Sequence, residues 1–330
     1  MDYMIRLLPS DAEFQASTNK SILESALESN IHLAYSCRRG DCGACKVKVV
    51  DGQVMHTESG TGLSTKDIDE GYVLSCLAVP QSSLVLEAEM YPELDGIEQT
   101  VLPCKLESIK FPVSDIAILK LRFPPNRKFN YLPGQYIELI SGEVRRSYSV
   151  ANAQSSDNCI ELHIRKVNGG TFSELVFNKF RLNQLLRMEG PLGTFFIRKS
   201  DAPVIFVAGG TGFAPVKAMV EQLLFEGSGR QIYIYWGVQN SKGFYSDIPN
   251  QWQTEYATVR YVPVVSNDDL DWNGRRGYVH KAVIQDFNDL SGHEVYACGS
   301  TAMINAAKSD FIAGGLKAEK YFSDAFVVTK

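Results

Sequence analysis

The chain of 330 residues has no long hydrophobic run, and its longest apolar stretches, such as residues 204–210, fall far short of the ~20 residues a membrane helix needs. Residues 1–10 lack a basic segment followed by an apolar one, and Asp2 places a negative charge there. A secretory leader is therefore not expected, nor a membrane partner, and the expected compartment is the cytoplasm. There is no excess of positive charge: 33 basic and 38 acidic residues leave a net of -5, which excludes nucleic-acid binding driven by bulk charge. The cysteine count is seven, an odd number, which argues against a closed disulfide framework and for metal binding or catalysis in a reducing compartment. Histidine is scarce: the five (32, 56, 163, 280 and 293) are scattered, so none accompanies a cysteine as a base would accompany a nucleophile.

What is present points to a globular chain of more than one domain. Apolar residues make up 45% and charged residues 22%, too balanced for long disorder, and the length suggests two or three domains. The charge is unevenly spread. Residues 1–95 hold 15 acidic and 7 basic side chains, whereas the remainder holds 23 and 26. An acidic module thus precedes a slightly basic one, and the attraction between them would weaken at high salt.

Within the acidic module, Cys37, Cys42 and Cys45 follow a C-x₄-C-x₂-C spacing, and Cys76 comes thirty intervening residues later. This is the spacing of a plant-type [2Fe–2S] cluster, in which four thiolates converge from one loop and one distant point. Gly40 and Gly43 allow the loop to curl and aim N–H groups at sulfur. A zinc site and buried free thiols are the alternatives; zinc sites usually pair two C-x₂-C knuckles, and one is present. Arg38 and Arg39 either offset the cluster's negative charge, guide an acidic partner, or are merely solvated. Residues 4–8 and 13–16 read as a hairpin, 21–27 as a helix, 46–50 and 84–90 as strands. A small sheet with one helix resembles the β-grasp fold of plant-type ferredoxins.

Residues 93–102 read as a linker between a first domain at 1–92 and a second at 103–200. The second shows strand-like runs at 105–109, 116–123, 135–140, 147–150, 160–166 and 194–197, with one helix at 171–180, a pattern that suggests a six-stranded antiparallel β-barrel. It contains Arg146-Ser147-Tyr148-Ser149, then Gly169-Gly170-Thr171-Phe172-Ser173, then Gly190-Pro191-Leu192-Gly193, read as a turn before the last strand. A helix start at Gly170 favours a phosphate. Each motif alone is weak, but their order resembles the ferredoxin–NAD(P)⁺ reductase family. That resemblance implies FAD, with Arg146 on its pyrophosphate, Tyr148 stacked on the isoalloxazine, Ser149 near flavin N5, and Gly170 and Ser173 at the pyrophosphate. His163 and Arg165 would flank the flavin or serve structure.

From residue 203 strands alternate with helices, which indicates an α/β doubly wound nucleotide-binding domain at 201–330. Strand 204–208 is followed by Gly209-Gly210-Thr211-Gly212-Phe213-Ala214-Pro215, a turn whose backbone can approach a pyrophosphate at a helix N-terminus. It departs from G-x-G-x-x-G at Pro215 and instead resembles the same family's nicotinamide dinucleotide turn, which implies Gly210, Thr211, Gly212, Pro215 and Trp236 as cofactor-binding residues. Cys298-Gly299-Ser300 ends what reads as the last strand, and the resemblance sets Cys298 and Gly299 beside the nicotinamide; a buried free thiol is the alternative for Cys298. Ser323-Asp324-Ala325-Phe326 resembles the family's ending, whose aromatic packs by the flavin, though Phe326 also suits a simple core position. The segment 237–245 offers only Lys242 to a 2′-phosphate, which favours NADH, with NADPH still possible.

Hydride is a two-electron donor and a [2Fe–2S] cluster takes one electron, so a flavin between them completes an electron-transfer reductase. Residues 91–94, 103–106, 189–198 (EGPLGTFFIR), 208–217 (AGGTGFAPVK), 235–237 and 322–326 (FSDAF) resemble, end to end, the branch of the family that reduces CDP-6-deoxy-Δ3,4-glucoseen in 3,6-dideoxyhexose synthesis. This implies a pyridoxamine-phosphate (PMP)-dependent CDP-sugar 3-dehydratase as the protein electron acceptor. The second expectation, sharing the same cofactor motifs, is a reductase component of an aromatic-ring dioxygenase or related monooxygenase.

Overall fold

In the computed structural model, which describes residues 2–56, 60–267 and 269–326, the alternation of buried Ile5 and Leu7 with exposed Met4 and Arg6 becomes strand β1 (Asp2–Leu8). It pairs antiparallel with β2 (Glu13–Ser17) and is followed by helix α1 (Ile22–Glu28). Ser21 caps that helix: its hydroxyl accepts the Glu24 N–H while the Glu24 carboxylate accepts the Ser21 N–H at 2.8 Å, a reciprocal pair that satisfies two orphan donors. Ile22, Leu23 and Ala26 are buried by the helix against the sheet. The remaining strands are β3 (Lys46–Asp51), β4 (Val54–His56), β5 (Tyr72–Leu74), β6 (Ala78–Pro80) and β7 (Leu84–Glu87), with a short helix α2 (Thr65–Asp69) before β5. The sheet order β2-β1-β7-β3-β5 has a parallel β1–β7 pair at its centre. This is the β-grasp arrangement expected, with α2 and the small β4–β6 pair added. Contacts group Met1–Ile97 as one unit and Glu98–Lys330 as a second.

The second unit opens with a six-stranded antiparallel sheet: β8 (Thr100–Val113), β9 (Ile116–Arg122), β10 (Tyr136–Ser141), β11 (Val144–Ser149), β12 (Cys159–Arg165) and β13 (Leu185–Leu192), in the order β11-β10-β13-β8-β9-β12. A bridge between Val150 and Leu162 joins the two outer strands into a barrel, and helix α3 (Thr171–Asn178) follows β12. Two expectations need correction. The sixth strand is residues 185–192, not 194–197, because Gly190–Leu192 continue it instead of turning. Gly190 serves close packing: a Cβ there would sit 2.8 Å from Ile137 Cγ2. Residues 100–102, read as linker, are already strand, paired with 188–190.

The last part is a parallel sheet of β14 (Val204–Gly209), β15 (Ile232–Val238), β16 (Val259–Val265), β17 (Arg275–Arg276), β18 (Glu294–Ser300) and β19 (Tyr321–Phe326), ordered β17-β16-β15-β14-β18-β19. Helices α4 (Phe213–Phe225), α5 (Ile248–Glu255), α6 (Val279–Asp286) and α7 (Thr301–Ala313) connect them. Central β14 reads as an unbroken apolar run because both faces are covered. Phe206 and Ala208 pack with Val216 and Met219 of α4, whereas Ile205 and Val207 pack with Val283 and Ala307 of α6 and α7. The Cys298 strand is not the last: residues 321–326 add β19 beside it, with Cys298 opposite Asp324 and Ser300 opposite Phe326. Among the described residues no helix is long and apolar enough to cross a membrane.

Candidate functional site

In the first unit the four cysteines gather as two pairs. Cys45 Sγ lies 3.1 Å from Cys76 Sγ, and the Cys37 and Cys42 side chains hydrogen-bond to each other. The thiol of Cys42, aided by the Arg39 and Cys42 amides and opposed by burial, draws the Cys37 thiol down to about 5, and Cys45 likewise lowers Cys76. Backbone N–H groups of Cys37 and Ala44 donate to Cys42 Sγ at 3.5 Å, and that of Arg39 donates to Cys37 Sγ at 3.4 Å. The loop can make these bonds because Gly40 and Gly43 take φ of +79° and +73°. A Cβ on Gly40 would collide with Leu77, and one on Gly43 would lie 2.7 Å from the Gly62 carbonyl. Four thiols brought together as two pairs from one loop and one distant turn, with backbone amides aimed at sulfur, fit a binuclear iron–sulfur cluster.

In the second unit Arg146, Tyr148 and Ser149 stand on β11. The Tyr148 ring lies 5.7 Å from Phe172 in α3, Arg146 is half-buried with Nη1 donating to the Arg145 carbonyl at 2.8 Å, and Ser149 is buried beside Tyr136. Gly170 caps α3. Ser173 Oγ accepts the Val167 N–H at 3.1 Å and has the Gly170 and Val167 carbonyls within reach of its single O–H, so this hydroxyl shapes the loop instead of facing outward. The amides at the α3 start, which precede its first i→i−4 bond, remain the anion-directed groups. This cradle of strand, aromatic ring and helix start suits an elongated pyrophosphate-bearing cofactor.

The alternation along β12 divides it cleanly. Ile160, Leu162 and Ile164 point into the barrel core, all at 1% exposure or less. Glu161, His163 and Arg165 point the other way, to the parallel sheet. His163, expected beside the flavin, has both ring nitrogens engaged within the protein: Nδ1 lies 2.9 Å from the Tyr245 hydroxyl and Nε2 lies 2.9 Å from Glu161 Oε1. Although burial opposes it, the hydrogen bond from His163 and the charge of Lys217 hold the Glu161 carboxyl down to about 2, so it is ionised and only accepts. Nε2 therefore carries the imidazole proton and Nδ1 accepts from Tyr245. Arg165 lies against the glycine turn: a Cβ on Gly210 would meet its Nη2 at 3.0 Å.

The turn after β14 is closely fitted. Gly210 takes φ of +54°, a Cβ on Gly212 would collide with the Cys298 carbonyl, and one on Gly209 would lie 2.8 Å from Met303 Sδ. Pro215 sits buried in the first turn of α4. Trp236 is fully buried: its Nε1–H donates to the Gly210 carbonyl at 2.9 Å, and its ring stacks on Phe213 at 4.1 Å. Trp236 thus shapes the turn and offers no exposed face to a ligand. Cys298 is fully buried, and burial, then Asp324, push its thiol well above the ordinary value. Burial thus favours the protonated thiol. Phe326 is half-buried against the same core.

Sequence reasoning missed Glu161, Lys217, Glu221 and Tyr245. Lys217 Nζ meets Glu221 at 2.7 Å, Glu161 at 3.2 Å and the Ala151 carbonyl at 3.0 Å, while Glu221 accepts the Ala153 N–H at 2.9 Å. The available signal was the alternation in residues 160–165, whose polar side would ordinarily be taken for a solvated face.

Three family models match the chain: a 2Fe-2S iron-sulfur cluster binding domain at residues 5–81, an oxidoreductase FAD-binding domain at 103–197 and an oxidoreductase NAD-binding domain at 206–309. The chain is 51% identical to the CDP-6-deoxy-L-threo-D-glycero-4-hexulose-3-dehydrase reductase of Yersinia pseudotuberculosis, over 100% of each chain. It is 47% identical to protein RfbI of Salmonella typhimurium, over 100% of this chain and 98% of that one. More distantly, it is 31% identical to the terephthalate 1,2-dioxygenase reductase component 2 of Comamonas sp, over 99% and 98%. The fold is similar to that of the crystal structure of the Amycolatopsis cytochrome P450 reductase GcoB, with a TM-score of 0.80 at 24% identity over 98% of both chains.

Proposed function

The chain belongs to the ferredoxin–NAD(P)⁺ reductase family with an N-terminal [2Fe–2S] domain, and from that premise we propose that it passes electrons from NADH to a PMP-dependent CDP-4-keto-6-deoxyglucose 3-dehydratase, reducing the CDP-6-deoxy-Δ3,4-glucoseen intermediate. The observation that carries this reading is the 51% identity, end to end, to the dehydrase reductase, against 31% for the dioxygenase reductase component. As an electron-transferring component it needs a partner enzyme; the dehydratase is the specific one proposed.

Cys37, Cys42, Cys45 and Cys76 hold the cluster, with the amides of residues 37, 39 and 44 spreading its negative charge. Arg146, Tyr148, Ser149, Gly170 and the α3 amides hold FAD; Ser173 fixes the loop that presents them. Gly210, Thr211, Gly212 and the start of α4 receive the dinucleotide pyrophosphate, with Trp236 and Pro215 keeping the turn in shape. At the nicotinamide end Cys298 and Gly299 supply a neutral, close-fitting wall, and Phe326 at the end of β19 packs beside it. FAD held there would supply the conversion between a two-electron hydride donor and a one-electron cluster. The preference for NADH is supported by Asp269, whose carboxylate accepts the Ser241 N–H at 2.7 Å beside Lys242 and disfavours a 2′-phosphate there.

Replacing Cys42 with Ser tests the electron path. Turnover with the protein acceptor is expected to vanish, whereas ferricyanide reduction by NADH, which needs only the flavin, is expected to persist. Loss of both activities in a variant that retains its FAD would contradict the path.

A further inference from the structure

Strand β12 carries three polar side chains at alternate positions, and each meets a different element of the nucleotide-binding part. Glu161 meets Lys217 of α4 at 3.2 Å, His163 meets the Tyr245 hydroxyl at 2.9 Å, and Arg165 lies over Gly210. The contacts continue inward. The Tyr245 ring packs edge-on against Trp236 with centroids 5.0 Å apart, and Trp236 holds the Gly210 carbonyl at 2.9 Å. An unbroken series of bonds and ring contacts therefore joins the barrel strand to the backbone of the glycine turn. The series is buried, with His163 and Tyr245 each 5% exposed and Trp236 0%, and a hydrogen bond lost there would leave a polar atom unsatisfied.

We propose that His163 and Tyr245 are positioning residues for hydride transfer: their hydrogen bond sets the register of the glycine turn, and hence of the bound nicotinamide, against the flavin barrel. This rests on the assignment of the barrel to FAD and the parallel sheet to NADH. Neither residue touches the reacting atoms. Their effect is geometric, and a misplacement of about 1 Å can cost on the order of a hundredfold in rate. The bond polarity is fixed, because ionised Glu161 requires the proton on Nε2, leaving Nδ1 as the acceptor of the Tyr245 O–H.

Tyr245→Phe removes that donor while keeping the ring that packs on Trp236. In single-turnover mixing of the holoprotein with saturating NADH, the limiting rate of flavin bleaching is expected to fall about tenfold, equivalent to ~1.4 kcal/mol. FAD content and NADH dissociation constant should stay within about twofold of the parent, since the bond itself touches neither ligand. Without any nucleotide, amide hydrogen exchange across residues 206–213 should quicken in the variant. His163→Leu should reproduce both effects, His163→Gln should recover part of the rate, and the Tyr245→Phe/His163→Leu double variant should be no slower than the slower single one. An unchanged bleaching rate in Tyr245→Phe, or unchanged exchange at 206–213, would overturn the proposal. A parent holoprotein whose flavin NADH does not bleach would overturn the functional reading beneath it, which the variant comparison alone would not.

Discussion

Burial holds each of the five histidines, 32, 56, 163, 280 and 293, below the ordinary value of 6.5. Histidines lowered by folding favour the folded state fully above 6.5, and that contribution is lost as pH falls below 6.5, because the unfolded chain then binds more protons. The thermal midpoint is therefore expected to be level from about pH 8 to 7 and to decline between about 6.5 and 5.5. Glu161, lowered to about 2 from 4.5, withdraws its contribution only below that window. A midpoint that rises on acidification to pH 5.5 would contradict the assignment. At this scale the gathering of Cys37, Cys42, Cys45 and Cys76 was legible because four cysteines and two glycines at fixed spacing have few other uses. His163 was not: residue type tells what a side chain can do, while its partners, Glu161 and Tyr245, are known only once the parallel sheet covers β12.

Elements with a strong period of their own were legible in the sequence. Helix α3 occupies residues 171–178 inside the predicted 171–180, and the apolar run at 204 becomes the central strand. Elements whose identity depends on neighbours were not. Residues 185–192 carry a Gly-Pro pair that reads as a turn, yet pairing with β8 and β10 keeps them extended. Similarly, 321–326 becomes a strand because β18 offers it an open parallel edge. The start of β18 holds a further hidden feature. Arg230 and Glu294 form an ion pair at 2.9 Å with side chains only 2% and 1% exposed, and Lys320 joins at 2.8 Å. Arg230 also donates to the Ala202 carbonyl at 2.7 Å. Arg230→Met would leave Glu294 short of a partner, and urea unfolding should show a loss of about 3 kcal/mol. A change below about 1 kcal/mol would mean that Lys320 and the Tyr296 hydroxyl compensate the buried carboxylate.

For the whole molecule, the succession of three modules was legible because each carries its own motif: four spaced cysteines, an R-x-Y-S strand and a glycine turn after an apolar strand. The seam between barrel and parallel sheet was not, since no local pattern distinguishes a polar face buried by another part of the chain from one bathed in water. The same limit applies to the electron acceptor, a property of a second protein. The central claim is that electrons leave this chain for the dehydratase that holds the sugar. The most direct measurement compares initial rates of NADH oxidation by the holoprotein at matched concentrations of two acceptors: the PMP-dependent dehydratase with CDP-4-keto-6-deoxyglucose, and a dioxygenase terminal component with its aromatic substrate. At least about tenfold faster delivery to the dehydratase, ~1.4 kcal/mol of preference, is predicted, with no sugar reduction when the dehydratase is omitted. Faster delivery to the dioxygenase component, or reduction of the sugar by this chain alone, would contradict the account.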